Sequence, residues 1–539
     1  ELDRRFSTFA LLALLTLLLG LLSLSWTPAG LREVRADSAG LFLVDHEGDA
    51  SGQPCTSGTD DDCSLRSAIE HANSGAGADS IIFESGDMEI TLGSPLPALT
   101  DDDTTVGPLD TSQVIEIDAN GVNGNVFEIT GDNMTLAYLR MYGSGTGWAN
   151  VWIHGSAQGV TIANNVIGDD SPSPGGCGES GESHSGIFVS STGSTPAGAR
   201  AWIYGNVIKC NGVPGDGEGY GIVLDGTDGV VVGDDGSGAS TQDEENEIIS
   251  NAGHGVLIRN EASENVVRNT EVLGNDGSGV VLASGASNNT VGSDSSLDAR
   301  NLISGNGLSG VRVVGSATTG NVIDGNSIGT DGLGEAALPN GSDGVTILKA
   351  TETTVGSSSS APEQVIASNG GAGVFIEDGD STSIGLSTVV RDNSGAGIVV
   401  AGDAEGSDLA PREVHGNGGL PIDLGNDGHT PNDPGDGDAG PNTLLNYPQI
   451  TSSAESTITG TACTECHVRI YEAMGDPAAA GGGGALVTIV SADADGNWGA
   501  SLSFGLTRFD VTVVARDPSG NTSEMSPRRR VFVPLALRD

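Results

Sequence analysis

Aliphatic residues alternate with small or variable ones along the middle of this chain. A unit of Gly, aliphatic, variable, aliphatic recurs there eight times, as SGIFV, YGIVL, HGVLI, SGVVL, SGVRV, DGVTI, AGVFI and AGIVV. The opening glycines are Gly186, Gly221, Gly255, Gly279, Gly310, Gly344, Gly373 and Gly397, spaced 24 to 35 residues apart. Spacing in this range marks a stacked repeat, because one such unit cannot bury its apolar face alone and must lie on its neighbours. The alternation has period two, turns rich in Gly, Asn, Asp and Ser bound each unit, and no part of this stretch has helical periodicity. The pattern predicts an all-β parallel β-helix. Val256 and Ile258, Val280 and Leu282, and Ile398 and Val400 then face a continuous core.

A second periodicity supports this reading. Asn251 and Asn275 are 24 residues apart, as are Asn369 and Asn393, and Asn393 and Asn417. Each precedes the glycine that opens the next unit. An asparagine stack at one corner is expected, with the Asn in the left-handed conformation and its amide bonded to the coils above and below. Longer intervals read as loops inserted at a corner, such as GTDGLGEAALPNGSD from Gly329. Residues 111–445 would then form about 11 coils, a rod about 50 Å long.

Charge narrows the partners. The 72 acidic residues outnumber the 22 basic ones for a net charge of −50, which excludes a basic nucleic-acid or anionic-membrane surface. Arg4 and Arg5 precede an apolar run from Phe9 to Leu24, and Val34-Arg35-Ala36 offers a cleavage site. Residues 1–36 therefore read as a secretory signal, with an uncleaved anchor as the alternative and the only expected link to a membrane. In a secreted chain the six cysteines should be oxidised, as the local pairs Cys55 with Cys63 and Cys463 with Cys466, and Cys177 with Cys210 as a third candidate. Cys463, Cys466 and His467 are also zinc-type ligands, but no fourth ligand is near.

The segment CSLRSAIEHANSGAGADSIIF, Cys63 to Phe83, resembles the N-terminal part of bacterial surface β-helix proteins that carry a CSLREAI-type motif. Cys63, Ser64, Leu65, Arg66, Ala68, Ile69, Ala72, Asn73, Asp79, Ile81 and Phe83 match, and Ser67 stands where Glu is usual. The stretches NVIDGNSIGTDGLGEAALPNGSDGVTI and GNGGLPIDLGNDGHTPNDPGDGDAGPNTLLNYPQI are similar to the same family's repeats and closing segment. The resemblance implies a right-handed, single-stranded, pectin-lyase-like parallel β-helix on a bacterial cell surface or outside the cell. Parallel crossovers favour that hand in any case. Residues 37–110 would hold a cap and the first coils, with a short helix presenting Leu65, Ile69 and Ala72 on one face to cover the open strand edges. Residues 447–527 resemble a bacterial immunoglobulin-like β-sandwich with Trp498 in its core. Residues 528–539 form a tail, whose apolar part is too short to cross a membrane.

β-Helices host polysaccharide lyases and hydrolases, which need carboxylates, or Arg and Lys with a metal, facing outward from neighbouring coils. The first outward position of the eight units holds Phe188, Val223, Leu257, Val281, Arg312, Thr346, Phe375 and Val399, mostly apolar. Asp225 and Arg259 follow on adjacent coils, with Glu377 farther along and His254 nearby in sequence. Asp225, Arg259 and Arg312 are the catalytic candidates, with a surface ion pair as the simpler alternative. The apolar stripe is either covered by inserted loops or open to a partner. Seven of the eleven Trp and Tyr residues lie between Tyr138 and Tyr220. If aliphatic neighbours face inward, Trp152, Trp202 and Tyr204 face outward on nearby coils and, with Trp148, are the glycan-binding candidates, flat rings suited to a sugar face; packing under a long loop is the alternative. Asp427, Asp433, Asp436 and Asp438 lie among glycines and suit Ca²⁺, which would tie the last coil to the sandwich, although Asx turns alone produce such Asp-Gly runs. No G-x-S-x-G elbow or plausible cysteine nucleophile appears, and no cofactor is required. The expected partner is a polysaccharide or cell-surface glycan and not nucleic acid. The expected role is non-catalytic adhesion or polysaccharide binding, with a lyase or glycoside hydrolase, or a passive stalk, as alternatives.

Overall fold

A computed structural model describes residues 40–55, 61–75, 77–168, 184–190, 201–213, 218–234, 244–292, 300–357, 363–454, 457–474, 482–502 and 509–531. The proposed signal segment, Cys177 and the end of the tail lie outside them. Among the described residues no helix is long and apolar enough to cross a membrane.

The chain winds into a parallel β-helix with three faces. The first sheet has 13 parallel strands, from Leu41–Val44 to Asp408–Leu409. The second begins at Met88–Thr91 and runs in parallel to Glu413–His415; the third has 11 strands, from Phe127–Ile129 to Ile422–Leu424. All eight glycine units lie in the third sheet, in one register through Ile187, Ile222, Val256, Val280, Val311, Val345, Val374 and Ile398. Coiling starts at Leu41, so the rod is about 60 Å long at the usual strand spacing, longer than residues 111–445 alone imply. The inward residues form one continuous core, and Val256, Ile258, Val280, Leu282, Ile398 and Val400 are all fully buried.

The asparagine stack runs through Asn211, Asn251, Asn275, Asn306, Asn340, Asn369, Asn393 and Asn417. Each side-chain oxygen accepts from the amide of the preceding member at 2.9–3.0 Å. One expectation fails here, because the ladder asparagines are not the left-handed residues. Cys210, Ser250, Ser368 and Asp392, each one position earlier, have φ of 54° to 62°. The preceding residue makes the turn, which leaves the asparagine free to aim its amide along the stack. Shorter ladders, Asn165–Asn206–Asn246, Asn265–Asn289–Asn321 and Asn301–Asn326–Gln364, satisfy buried polar groups elsewhere in the coils. The ladder also explains the glycines. A Cβ on Gly279 would lie 2.5 Å from Ile303 Cγ2, 2.7 Å from the Gly310 carbonyl and 2.9 Å from Asn306 Nδ2.

Helix α1, Leu65–Ala72, covers the first coil with Leu65, Ile69 and Ala72 buried. The Ser64 hydroxyl accepts from the Ser67 N–H at 3.1 Å and caps it. Cys55 is bonded to Cys63. Arg66 donates two hydrogen bonds to Asp49 and others to the carbonyls of Ser94 and Pro95, which ties α1 to the coils below.

Beyond the last coil the chain forms an antiparallel sandwich. One sheet comprises Gln449–Ala454, Thr457–Thr461 and Asn497–Ser501. The other comprises His467–Met474, Gly482–Ser491, Phe509–Arg516 and Arg529–Val531, and extends the second solenoid sheet through a Val414–Gly483 pair. Trp498 lies in its core with Ile458, Val468, Ile470, Val511 and Val513. Cys463 is bonded to Cys466, so neither sulfur is available as a zinc-binding thiolate. Cys210 is also in a disulfide.

Candidate functional site

Strand Ala149–Ile153 turns Val151 and Ile153 into the core and leaves Trp152 outside. On the next coil Phe188 occupies the same register position between buried Ile187 and Val189. Trp148, 39% exposed, joins them, and the three rings line a groove of about 280 Å³ with Asn125, His184, Ser185 and Arg259. The Trp152 indole N–H donates to Ser190 Oγ at 3.0 Å, and its ring stacks on His154 with centroids 3.8 Å apart. His154 Nε2 lies 2.7 Å from Glu128. Trp152 is thus held in one orientation from two sides.

Two further rings continue along this face. His184 meets Tyr220 edge-on at 5.5 Å, and Tyr220 stacks on His254 at 5.7 Å. The His254 pKa is pushed down to about 4, first by burial and then by the charge of Arg312. Its Nδ1 accepts the Ser278 backbone N–H at 2.9 Å. This run of rings was not visible as a unit in the sequence. The residue before each repeat glycine was the available signal, since Tyr220 and His254 both occupy it.

Asp225 and Arg259 form the ion pair that was the simpler alternative, at 2.7 Å, and Asp225 also accepts from Asn260 at 2.9 Å. A carboxylate with both oxygens engaged is poorly placed to take a proton from a substrate. Arg312 is in the same third-sheet column as Phe188 but three coils beyond Val223. Between them Val223, Leu257 and Val281 form a buried satellite cluster with Phe188 and Tyr220, so the apolar stripe is not an open patch.

Trp202 and Tyr204 are not part of this site, which corrects the single platform expected from the sequence. They lie on strand Ala201–Tyr204 of the first sheet, in register with Thr161 and Ala163. Val-Trp-Ile and Ala-Trp-Ile look alike in sequence but occupy different thirds of a coil. The expected four-aspartate set needs a similar correction. Ligand oxygens of Asp433, Asp436 and Asp438 lie within 4.8 Å of one another, and burial and then the neighbouring aspartates raise the Asp436 pKa against an opposing Asn446 N–H bond. Asp427 stands apart from them, and its N–H is bound to Asp423 at 3.2 Å. Calcium takes six to eight oxygens, so these three carboxylates would supply only part of its shell, with carbonyls or waters for the rest. Asp433 and Asp436 bind Asn446, just before the first sandwich strand, directly: the Asn446 N–H donates to Asp436 at 2.8 Å and the Asp433 N–H to Asn446 Oδ1 at 2.9 Å.

One acidic group escaped the sequence reading. Glu247 and Glu271 are in register on adjacent coils of the second sheet, with Glu245 beside them. Burial first, and the neighbouring carboxylates second, raise the pKa of Glu245 and Glu271.

No protein-family model matches the chain, and neither does any curated protein sequence. Among solved structures it is similar to a periplasmic alginate epimerase, AlgG, with 13% identity and a TM-score of 0.37 over 66% of this chain and 79% of that one. It is similar to tailspike protein 2 of bacteriophage CBA120, with 10% identity and a TM-score of 0.32 over 94% and 77%. The tailspike of E. coli bacteriophage HK620, solved with a pentasaccharide, gives 10% identity and a TM-score of 0.28 over 84% and 88%. Likeness at this level says nothing of substrate, and the β-helix is established by the strand register itself.

Proposed function

We propose that the protein is a secreted or cell-surface β-helix that binds a polysaccharide on its third sheet without cleaving it. The observation that carries this reading is the groove in which Trp148, Trp152 and Phe188 present rings beside Asn125, His184 and Arg259. Flat rings suit the apolar face of a sugar, and a few directional polar groups suit its hydroxyls. The Asp225–Arg259 pair supports binding over catalysis, because each partner already satisfies the other. The signal-like segment read from the sequence supports a location outside the cell, and on this reading the sandwich is an immunoglobulin-like spacer behind the rod.

A second reading, glycoside hydrolysis or lysis, is favoured by Glu247 and Glu271. A raised carboxyl pKa suits a general acid, and two acids on stacked coils could flank a glycosidic bond. Calorimetric binding to a polysaccharide panel, with product analysis in parallel, separates the two. Trp152→Ala should weaken binding by about 1 kcal/mol or more, roughly fivefold, while Trp202→Ala leaves it unchanged. Equal losses from both variants would remove the groove from the account. Shortening of the polymer that Glu271→Gln abolishes would establish the enzyme.

A further inference from the structure

We infer that Arg312 is a second recognition point on this face and takes the carboxylate of an acidic sugar in the bound polysaccharide. The inference rests on the glycan-binding reading and specifies its ligand class.

Against 72 acidic and 22 basic residues most of the described arginines pair with a carboxylate, although Arg300 bonds only a hydroxyl and a carbonyl. Arg66, Arg259, Arg268, Arg469 and Arg516 all have a carboxylate partner. Arg312 stands half-exposed between Val281 and Thr346 of the adjacent coils and, among the described residues, makes no hydrogen bond or ion pair. The acid on the adjoining coil is committed elsewhere. Asp343 accepts the Ala372 N–H at 2.8 Å on one oxygen and the Thr346 hydroxyl at 3.0 Å on the other, with Ser309 bonded to that hydroxyl at 2.8 Å. The guanidinium fork, which matches a carboxylate in two-pronged geometry, is left open.

The surroundings suit an anion. His254 accepts the Ser278 N–H through Nδ1, so the neutral ring carries its proton on Nε2 and is a donor there. Ser278 lies between His254 and Ser309 in the succession of coils, and its buried hydroxyl has no hydrogen-bond partner. The position is also on the path of the chain. From Trp152 to Arg312 is five coils, about 24 Å, and the Tyr220–His254 stack lies between them. One cation at the end of a run of rings fits a polymer with occasional charged sugars. It does not fit a densely charged strand such as nucleic acid, which the net charge of −50 would repel.

The test uses polygalacturonate, hyaluronan and glucuronoxylan beside their carboxyl-reduced, neutral forms, with the secreted chain intact. At least one acidic polymer should bind tenfold or more tightly than its reduced form. Arg312→Gln should abolish that preference while the reduced form binds as before, Arg312→Lys should retain part of it, and unchanged melting temperatures would exclude a folding defect. Trp152→Ala should weaken both forms. If the reduced forms bind and depend on Trp152, but no acidic form is preferred or the preference survives Arg312→Gln, this inference fails and the groove stands. If nothing binds, or Trp152→Ala changes nothing, the binding reading fails with it.

Discussion

The solenoid and its junction with the sandwich bury polar groups in different ways. Within the coils the buried polar groups at the corners are mainly neutral amides, stacked so that each asparagine donates to the next at 2.9–3.0 Å. At the junction charges join neutral links such as those from the Gly406 N–H to Asn521 and from the Leu409 N–H to Thr522. Asp408 bridges Arg469 at 2.6 Å and Arg516 at 2.7 Å, and nearly buried Glu524 accepts the N–H groups of Leu424 and Thr430 and contacts His429 at 2.9 Å. The difference follows from repetition. A coil meets a copy of itself, so one amide that both donates and accepts can satisfy every layer in turn. The sandwich shares no repeat with the solenoid, so individual pairs, charged and neutral, join the two surfaces. The charged pairs carry a desolvation cost that amide stacks largely avoid.

Asn306→Ala should have the largest effect. It removes the acceptor of the Asn275 N–H and amide and the donor to the Val272 carbonyl, all buried, and should cost about 3–5 kcal/mol. Asn417→Ala, at the half-exposed end of the same ladder, should cost clearly less. Equal losses in melting temperature from the two variants would mean that the ladder is decoration on a core that is stable without it.

Asp408→Asn ranks next. It leaves Arg469, 7% exposed at its side chain, without its ion-pair partner and should cost about 2–3 kcal/mol. The consequence should be local, with calorimetry resolving the sandwich as a separate, earlier transition. A single shared transition would show that the two regions depend on each other through more than these pairs, for instance through Tyr471, Val514 and Met525, which pack into the solenoid core.

The smallest effect is in pH. Burial raises the Glu524 carboxyl above its ordinary 4.5, so between 4.5 and the higher folded value the native state holds a proton that the unfolded chain has lost. Glu524 therefore adds stability as pH falls through that window and loses it as pH rises. The melting temperature of the native chain relative to Glu524→Gln should drift downward from pH 4.5 towards neutrality. A flat difference would assign the junction to its arginines alone.

Much of the fold was legible because the third-sheet strands are long enough to show their period. Ser185–Ser190 and Tyr220–Asp225 span six residues each, whereas Val166–Ile167 and Thr354–Val355 span two and leave no alternation to read. The first and second faces were therefore missed as separate sheets, although their asparagine ladders were present in the sequence. The groove was only partly legible. Trp148 and Trp152, two of the ring-bearing candidates, share one groove, but Trp202 and Tyr204, with the same local pattern as Trp152, lie on another face.

The sequence alone determined which residues face inward and that the units stack, because both follow from short-range alternation and a repeat that must bury its apolar side on a neighbour. Tertiary structure decided which outward residues share a surface. Each coil bends its chain through three faces, and turns and inserted loops set where a side chain emerges. Arg259 therefore reaches the groove of Trp152 and pairs with Asp225, while Arg312, at the first outward position of its own coil, is left without a partner among the described residues.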